Sequence, residues 1–269
     1  GVAMRKTNYH MHTRRCMHAS GRDEEYVLSA IQNGYEEIGF SDHSPWKYDS
    51  DFVANMRMPL SKFDDYYASI SSLQEKYKDQ ISIKIGLECE YFPKYIDWLK
   101  QFLIEKKVDY IIFGNHYYKT DEERVYFGTA CEQEQWLVSY VDEAIAGMET
   151  GLYSYLCHPD LFMRGRRVFD EVAKRESIRL CQAAKKLQIP LEYNLAGAAY
   201  NDVMHTMQYP HKDFWKVAAE VGNTAIIGVD AHEPAALMTD TYRDAGIALL
   251  KSYGMNITDT LPLKDFTKL

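Results

Sequence analysis

Short apolar segments alternate with longer segments of helical periodicity, and this alternation constrains the fold more than any other feature of the chain. The apolar segments lie at 5–9, 36–40, 81–87, 108–113, 152–157, 189–193 and 224–229. We predict helices at 21–34, 61–79, 93–107, 132–151, 167–188, 211–222 and 237–254. Alternating strands and helices are typical of βα units with parallel strands. Seven units favour an α/β barrel, and a doubly wound open sheet is the alternative.

The chain is long enough to form one such barrel. It has 269 residues, of which 46% are hydrophobic, so we expect a large core and no extensive disorder. A barrel of this size is commonly a single domain. We therefore expect one domain over residues 1–269, and we interpret residues 1–3, which precede Met4, as an expression remnant.

Cysteine usage and charge indicate a cytoplasmic protein that acts on small molecules. The five cysteines include no C-x-x-C pair, which is typical of reduced thiols. We recognise no signal peptide and no apolar run near the roughly 18 residues of a membrane span. The net charge of −8 disfavours binding to phosphate backbones. We expect neither nucleic acid nor membrane as a partner, and the sequence indicates no oligomeric state.

Histidines and carboxylates follow six of the seven predicted strands. They are His10 and His12, His43, Glu88 and Glu90, His116, His158 and Asp160, and finally Asp230 and His232. The carboxyl ends of parallel barrel strands converge on one face, where active sites are built. A single histidine after a strand is usually a loop residue bonded to the backbone. The coincidence at six strand ends predicts a metal centre on this rim.

The spacing of these residues supports metal binding. In an extended chain, residues i and i+2 point to the same side, so His10 and His12 can bind one ion together. Asp230 and His232 repeat this spacing. Imidazole with carboxylate suits zinc, iron or manganese. The candidates exceed the ligands of one ion, so we expect two or three ions, with Glu88 as a natural bridge.

Other polar residues near the strand ends are candidates for supporting roles. We favour Glu90 as a partner of a ligand rather than as a ligand, and Asp42 and Asp160 either orient an imidazole or face solvent. Cys16 is disfavoured as a ligand. Arg164, with Arg166 and Arg167, either binds phosphate or lies at a solvated helix start, and Arg14 and Arg15 beside the histidines are similar candidates. Lys47 and Arg57 are candidate substrate-binding residues in a long loop of the kind that covers a site.

The motifs, taken in order, resemble those of the PHP (polymerase and histidinol phosphatase) superfamily. They are "HMH", His18, "DH" with His43, "GLE" with Glu88, "GNH" with His116, "CHPD" with His158, and "GVDAH". The stretches "GFSDHSPW" and "GLECEYFP" are most similar to the histidinol-phosphatase branch. No G-x-S-x-G, G-x-x-x-x-G-K or G-x-G-x-x-G motif is present, so serine-hydrolase, P-loop and dinucleotide-binding functions lack support.

The resemblance implies a distorted (β/α)7 TIM-like barrel with three divalent ions (Zn, Fe or Mn) at the carboxyl rim of the strands. The implied ligands are His10, His12, Glu88 and Asp230 for one ion, Glu88, His116 and His158 for the second, and His18, His43 and His232 for the third. It implies hydrolysis of L-histidinol phosphate in histidine biosynthesis, with Glu88, Asp230 and His232 in the catalytic centre. Asp160 and a metal-bound water are the two candidates for protonating the leaving oxygen.

One departure from the family pattern concerns the substrate. Enzymes of this branch tend to carry an arginine shortly after the asparagine that ends the sixth strand. Here Asn194, a candidate substrate-binding residue, is followed by "LAGAAY". Either another arginine substitutes or the substrate is a different small phosphoester. A phosphodiesterase or 3′-exonuclease and a non-catalytic metal-binding scaffold are further alternatives, although all nine ligand positions are filled.

Overall fold

The computed structural model describes residues 4–269, so the predicted remnant at 1–3 lies outside the described residues. Seven strands are present, at β1 Thr7–Asn8, β2 Glu37–His43, β3 Ser82–Cys89, β4 Tyr110–Phe113, β5 Leu191–Asn194, β6 Thr224–Gly228 and β7 Asn256–Thr258. Nine helices accompany them within this range, at α1 Asp23–Gln32, α2 Phe63–Lys76, α3 Ile96–Glu105, α4 Phe127–Ala130, α5 Glu134–Glu149, α6 Glu171–Lys186, α7 Leu195–Met204, α8 Lys212–Val221 and α9 Thr241–Ser252.

All strand pairs are parallel, as the alternating pattern predicts. One sheet has the order β1-β2-β3-β4 and the other the order β5-β6-β7. Leu156 forms parallel bridges with Phe113 and with Leu191, which connects β4 to β5. Met11 forms a parallel bridge with Ala231 and so connects the chain after β1 to the chain after β6. The result is an α/β fold with a curled parallel sheet.

The structure differs from the predicted elements in four places. The predicted strand at 152–157 is reduced to the single bridging residue Leu156, although Ser154 and Cys157 still donate backbone hydrogen bonds to Ile111 and Phe113 of β4. Helices α4 and α7 and strand β7 were not predicted. Helix α7 carries an apolar and alanine-rich sequence without the polar face that marks an amphipathic helix.

The helices pack their apolar faces against the sheet, and glycines permit close contacts within it. In α2, for example, Tyr66, Ile70 and Leu73 are buried at helical spacing. The Tyr110 ring lies against Gly39 and Gly86, where a Cβ atom would overlap it. The Tyr110 hydroxyl donates to the carbonyl of Tyr9 at 2.8 Å. This packing ties β4 across β3 and β2 to the segment that carries the first histidines.

Candidate metal centre

The side chains that follow the strands converge at the carboxyl end of the sheet. Four of them, with ligand atoms all within 4.8 Å of one another, are His10, His12, Glu88 and Asp230. Two further groups that meet the same distance are His43 with Glu88 and His116, and His12 with His43 and His232. The residues come from the ends of β1, β2, β3, β4 and β6, as expected for parallel strands that end on one face.

Glu88 presents its two carboxylate oxygens to two different pairs of histidines. Its Oε1 lies 2.9 Å from Nε2 of His10 and 3.3 Å from Nε2 of His12. Its Oε2 lies 3.0 Å from Nε2 of His116 and 3.4 Å from Nε2 of His158. A carboxylate in this position can contact two cations at once.

Asp230 completes the first group and is held in an unusual backbone conformation. Its Oδ1 lies 2.9 Å from Nε2 of His12 and 3.1 Å from Nε2 of His10. Its φ of 54° is in the left-handed region, and His158 also has a positive φ of 24°. Non-glycine residues rarely adopt such angles, and they cluster at functional sites. Asn194 Nδ2 donates to Asp230 Oδ2 at 3.1 Å and so helps to orient the carboxylate.

Three buried carboxylates lie within hydrogen-bond distance of the Nδ1 atoms of three histidines, whose Nε2 atoms face the cluster. The Nδ1 atom of His10 lies 2.6 Å from Glu192 Oε2, that of His12 lies 3.1 Å from Asp42 Oδ1, and that of His116 lies 3.0 Å from Glu90 Oε2. In each pair we assign the proton to Nδ1, which donates to the carboxylate and leaves the Nε2 lone pair for a metal ion. Carboxylate–histidine pairs of this kind are common around bound metals.

Glu192 is the residue of this group that the sequence reasoning missed. Its carboxylate is fully buried and also accepts hydrogen bonds from the Tyr155 hydroxyl at 3.0 Å and from the His158 N–H at 3.1 Å. Gly228 on β6 packs directly against it, and a Cβ there would overlap the carboxylate. The signal was present, since a glutamate within the apolar segment 189–193 needs polar partners when it is buried.

His43, His232 and His18 lie on the other side of His12. Ring centroids are 4.4 Å apart for His12 and His43, and 4.2 Å for His12 and His232. Burial, together with the charge of His12, lowers the pKa of His43 well below its usual value and that of His232 to about 4. Both rings are therefore neutral imidazoles, the form that binds metals. His18 is exposed, with its ring centroid 5.0 Å from that of His232.

The histidines and carboxylates of the group formed by His10, His12, Glu88 and Asp230 shift one another's pKa values. Burial lowers the pKa of His10, but the carboxylates of Asp230, Glu192 and Glu88 outweigh it and raise that pKa well above its usual value. Burial raises the pKa of Glu88 and Asp230, yet His10 and other imidazoles hold both pKa values well below the usual range. The two carboxylates are therefore ionised and able to bind cations.

Several buried polar atoms of this cluster have no hydrogen-bond partner. They are His43 Nδ1, which lies 3.7 Å from Glu88 Oε1, and Glu88 Oε2, which is close to two Nε2 atoms. His158 Nδ1 is also unpaired, but it is not the ring nitrogen that faces Glu88. Unpaired buried polar atoms are costly in a folded protein. Imidazole nitrogens and carboxylate oxygens aimed at a common volume are the donor set that divalent transition ions prefer. The residues fit bound divalent metal ions.

Two of the predicted substrate-binding residues are engaged elsewhere. The guanidinium of Arg57 is buried and forms ion pairs with Glu90 and Asp121 rather than facing the open side of the cluster. Arg15 forms ion pairs with Asp23 and Asp65 on α1 and α2, both at 2.9 Å. Sequence position placed Arg15 beside the histidines and Arg57 in a loop that follows His43, but burial and nearby acids decide where each side chain points.

Asp160 is also bound by a neighbouring segment. Its Oδ2 accepts the His211 N–H at 2.7 Å, at the start of α8. Burial raises the pKa of Asp160 to about 7. Within residues 4–269, no hydrogen bond or ion pair joins its carboxylate to the clustered histidines. Oδ2 of Asp160 thus supports the start of α8, and the contact of Asp160 with the leaving oxygen stays a prediction.

Arg164 and Lys47 remain on the open surface. Arg164 donates from Nη1 to the Tyr126 hydroxyl at 2.9 Å, and its guanidinium carbon lies 5.5 Å from the centre of that ring. Burial raises the pKa of Tyr126, Arg164 lowers it, and the charges of Glu88 and Asp230 raise it further. The centroid of the Tyr126 ring lies 5.5 Å from that of Tyr117, which in turn lies 6.5 Å from that of His116. Lys47 is exposed in the 44–59 loop.

A cavity of about 580 Å³ opens beside the cluster. Asp230 and His232 line one side of it, and Ala196 and Ala199 of α7 line another. This is the segment in which the family resemblance led us to expect an arginine. The small alanine side chains leave the space open, so it can receive the organic part of a small phosphoester.

Comparisons with known proteins identify a family and several named relatives. The profile of the PHP domain family matches residues 8–196. A probable histidinol-phosphatase of Deinococcus radiodurans is 26% identical over 241 residues, which cover 84% of this chain and 85% of that protein. The histidinol-phosphatase of Bacillus subtilis is 31% identical over 124 residues, which cover 44% of this chain and 46% of that protein.

Solved structures show the same fold. The crystal structure of histidinol phosphate phosphatase from Lactococcus lactis, in complex with zinc, L-histidinol and phosphate, matches with a TM-score of 0.73 and 21% identity. The match covers 98% of this chain and 100% of that one. No helix within residues 4–269 combines the length and apolar character that crossing a bilayer requires.

The profile match covers most of the chain and includes six of its clustered histidines, and the chain is therefore a member of the PHP domain family.

Proposed function

We propose that this protein is a metal-dependent phosphatase that hydrolyses a small phosphomonoester, with L-histidinol phosphate as its substrate. The observation that carries the proposal is the two-sided contact of Glu88, whose oxygens each face a separate pair of imidazole Nε2 atoms. The relatives from Deinococcus and Bacillus carry histidinol-phosphatase names, and the similar Lactococcus structure holds zinc, L-histidinol and phosphate. These similarities favour this substrate over other small phosphoesters.

We further propose that the chain is one distorted (β/α)7 barrel domain that holds three divalent ions of zinc, iron or manganese. The bridges at Leu156 and between Met11 and Ala231 support a closed barrel of seven strand segments. The proposed ligand sets are His10, His12, Glu88 and Asp230 for the first ion, Glu88, His116 and His158 for the second, and His18, His43 and His232 for the third. The position of His43 between two groups makes it a candidate for the second ion as well.

The side chains of this site have separable roles in hydrolysis. When bound, the ions supply Lewis acidity and lower the pKa of water for attack on phosphorus. Glu192, Asp42 and Glu90 keep the Nδ1 protons of His10, His12 and His116 in place, which fixes the direction of each Nε2 lone pair. We assign phosphate binding to Arg164, whose planar guanidinium is held by Tyr126 and can donate two hydrogen bonds.

The cavity beside the cluster provides for the rest of the substrate. Its volume of about 580 Å³ lies within the range of small-molecule sites. We propose that the organic group lies between α7 and the Asp230–His232 segment. Asp160, whose Oδ2 also accepts the His211 N–H, is our candidate for protonating the leaving oxygen.

A substrate panel on protein of measured metal content tests this function. We expect hydrolysis of L-histidinol phosphate with a kcat/KM well above that for other phosphomonoesters and for a short oligonucleotide. Glu88→Gln is expected to reduce kcat by at least about 10³-fold, because it removes the charge shared by both sides of the cluster. Glu176→Gln, at a buried glutamate that pairs with arginines on α6, is the matched control.

Several outcomes would contradict the proposal. Faster cleavage of the oligonucleotide would favour the phosphodiesterase alternative. Bound metal without hydrolysis of any phosphoester would favour a scaffold. Full activity of Glu88→Gln would exclude the cluster as the catalytic centre.

A further inference from the structure

Arg57 carries a buried charge at the end of the 44–59 loop. Only 2% of its surface is exposed. Its Nη1 donates to Glu90 Oε1 at 2.9 Å, and its Nη2 donates to Glu90 Oε2 at 2.6 Å. Nη1 also donates to the carbonyl of Ser44, the first residue of the loop, at 2.8 Å. The two parallel contacts fix the plane of the Glu90 carboxylate, which a single donor cannot do.

Glu90 connects this arginine directly to a candidate metal ligand. The same Oε2 that receives Arg57 Nη2 lies 3.0 Å from His116 Nδ1, and Oε1 receives Trp46 Nε1 at 3.1 Å. Trp46 belongs to the same loop as Arg57. The imidazole of His116 is thus oriented by a carboxylate whose other donors come from the 44–59 loop.

The other two carboxylate–histidine pairs are built differently. Glu192 receives its remaining hydrogen bonds from Tyr155, Asn194 and a backbone N–H, and Asp42 receives its own from Thr13 and a backbone N–H. Among the residues that the structure describes, Glu90 is the one of the three that is also paired with an arginine. Only the His116 position therefore depends on a charged group from a loop.

A second anchor holds Arg57 on the side opposite to Glu90. Its Nε donates to Asp121 Oδ2 at 3.2 Å, and the Tyr48 hydroxyl donates to the same oxygen at 2.7 Å. Asp121 follows the segment that carries His116. This anchor fixes the loop without contacting Glu90, which offers a matched control.

We propose that Arg57 is a positioning residue that couples the 44–59 loop to metal retention at His116, through Glu90. This inference rests on the metal centre of the proposed function and goes beyond it, because it assigns control of one ion to a loop that supplies no ligand. Loss of an outer partner of a metal-binding histidine typically lowers metal affinity about 10- to 100-fold. Disturbance of this loop should therefore release the ion at His116 before the other ions.

Zinc release to a chelator tests the proposal without relying on activity. Zinc-loaded protein, freed of excess metal, is mixed with EDTA, and the retained zinc is measured over time by elemental analysis. We expect Arg57→Gln to accelerate the fastest phase of release at least about 10-fold and to leave the slower phases unchanged. Asp121→Asn should remain within about two-fold of wild type, because Asn still accepts from Arg57 and the contact with Glu90 is intact. Equal release by wild type and Arg57→Gln, or equal acceleration by Asp121→Asn, would overturn the proposal.

Two further variants address misfolding and charge. If Arg57→Gln fails to fold, Trp46→Phe removes one neutral donor to Glu90, and we expect a smaller acceleration of about two- to five-fold. Arg57→Lys keeps the charge but loses the bidentate contact, so it should also release zinc faster than wild type. A wild-type rate in either variant would overturn the positioning role. If wild-type protein retains zinc but cleaves no phosphoester, the proposed function is refuted. The comparison of zinc release then still tests the role of Arg57.

Discussion

The carboxylate of Glu192 lies 2.6 Å from Nδ1 of His10, and neither side chain is exposed to solvent. The two residues are 182 positions apart in sequence. Their contact joins the first strand segment to β5 through the interior of the fold. It also determines which nitrogen of His10 is available to a metal ion.

Replacement of Glu192 by Gln should weaken metal binding at His10. The neutral amide still fits beside Gly228, but it holds the Nδ1 proton less strongly than a carboxylate does. We expect an approximately 10- to 100-fold loss of zinc affinity, measured by competition with a chelating dye. Glu176→Gln, another buried glutamate, serves as the control. Unchanged affinity in Glu192→Gln would show that the contact is only structural.

Gly228→Ala should disturb the site through Glu192. The added methyl group would overlap the carboxylate, so either β6 or Glu192 must shift. We expect a loss of about 1–3 kcal/mol in the free energy of unfolding, together with weaker zinc binding. Gly246→Ala on α9 would crowd the Tyr193 ring instead, and it should lower stability without changing zinc affinity. Equal zinc affinity of both variants would argue against the proposed displacement of Glu192.

Arg164→Gln should lower catalytic efficiency without releasing metal. The variant removes the guanidinium that we assign to the phosphate group, and we expect kcat/KM for L-histidinol phosphate to fall about 100-fold. Tyr126→Phe keeps the guanidinium but removes its 2.9 Å hydrogen bond, so a smaller decrease is expected. Metal content by elemental analysis should equal that of wild type in both. Wild-type kinetics in Arg164→Gln would assign phosphate binding to another group.

Removal of metal should lower thermal stability. A ligand that binds only the folded state at about 1,000 times its Kd stabilises by roughly 4 kcal/mol, which corresponds to a Tm change of about 10 °C for a chain of this size. We expect zinc or manganese to restore the Tm after EDTA treatment. Magnesium should not, because it prefers oxygen ligands to imidazole. An unchanged Tm after verified metal removal would contradict a built metal centre.

Glu143 on α5 should make stability depend on pH. Burial raises its pKa from 4.5 to about 7, although its carboxylate accepts the Lys119 N–H at 2.8 Å. The folded state therefore favours the protonated form, and stability is lost as the pH rises from about 4.5 to 7. Allowing for partial exposure, we expect the Glu143→Gln variant to gain about 1 kcal/mol over wild type at pH 8 and almost nothing at pH 4. Urea unfolding at both pH values measures this, with exposed Glu149→Gln as the control; equal gains at the two pH values would contradict it.

The sequence by itself predicted the parallel α/β character and the set of histidines and acids at the strand ends. Both follow from local information, because hydrophobic periodicity identifies strands and parallel strands end on one face. It also favoured Glu90 as the partner of a ligand, and the 3.0 Å contact with His116 Nδ1 agrees with this. It placed a strand at 152–157, where the structure keeps only the bridging residue Leu156.

Only the tertiary structure decided which charges meet. The pairing of His10 with Glu192, the burial of Arg57 behind Glu90, and the turn of Asp160 towards α8 depend on how distant segments pack. Spacing along the chain carries no information on such contacts, because an ionisable side chain near a strand end can face the cluster, the core or solvent at similar local cost. The cost of burying an unpaired charge selects among these positions, and it acts only once the sheet has closed.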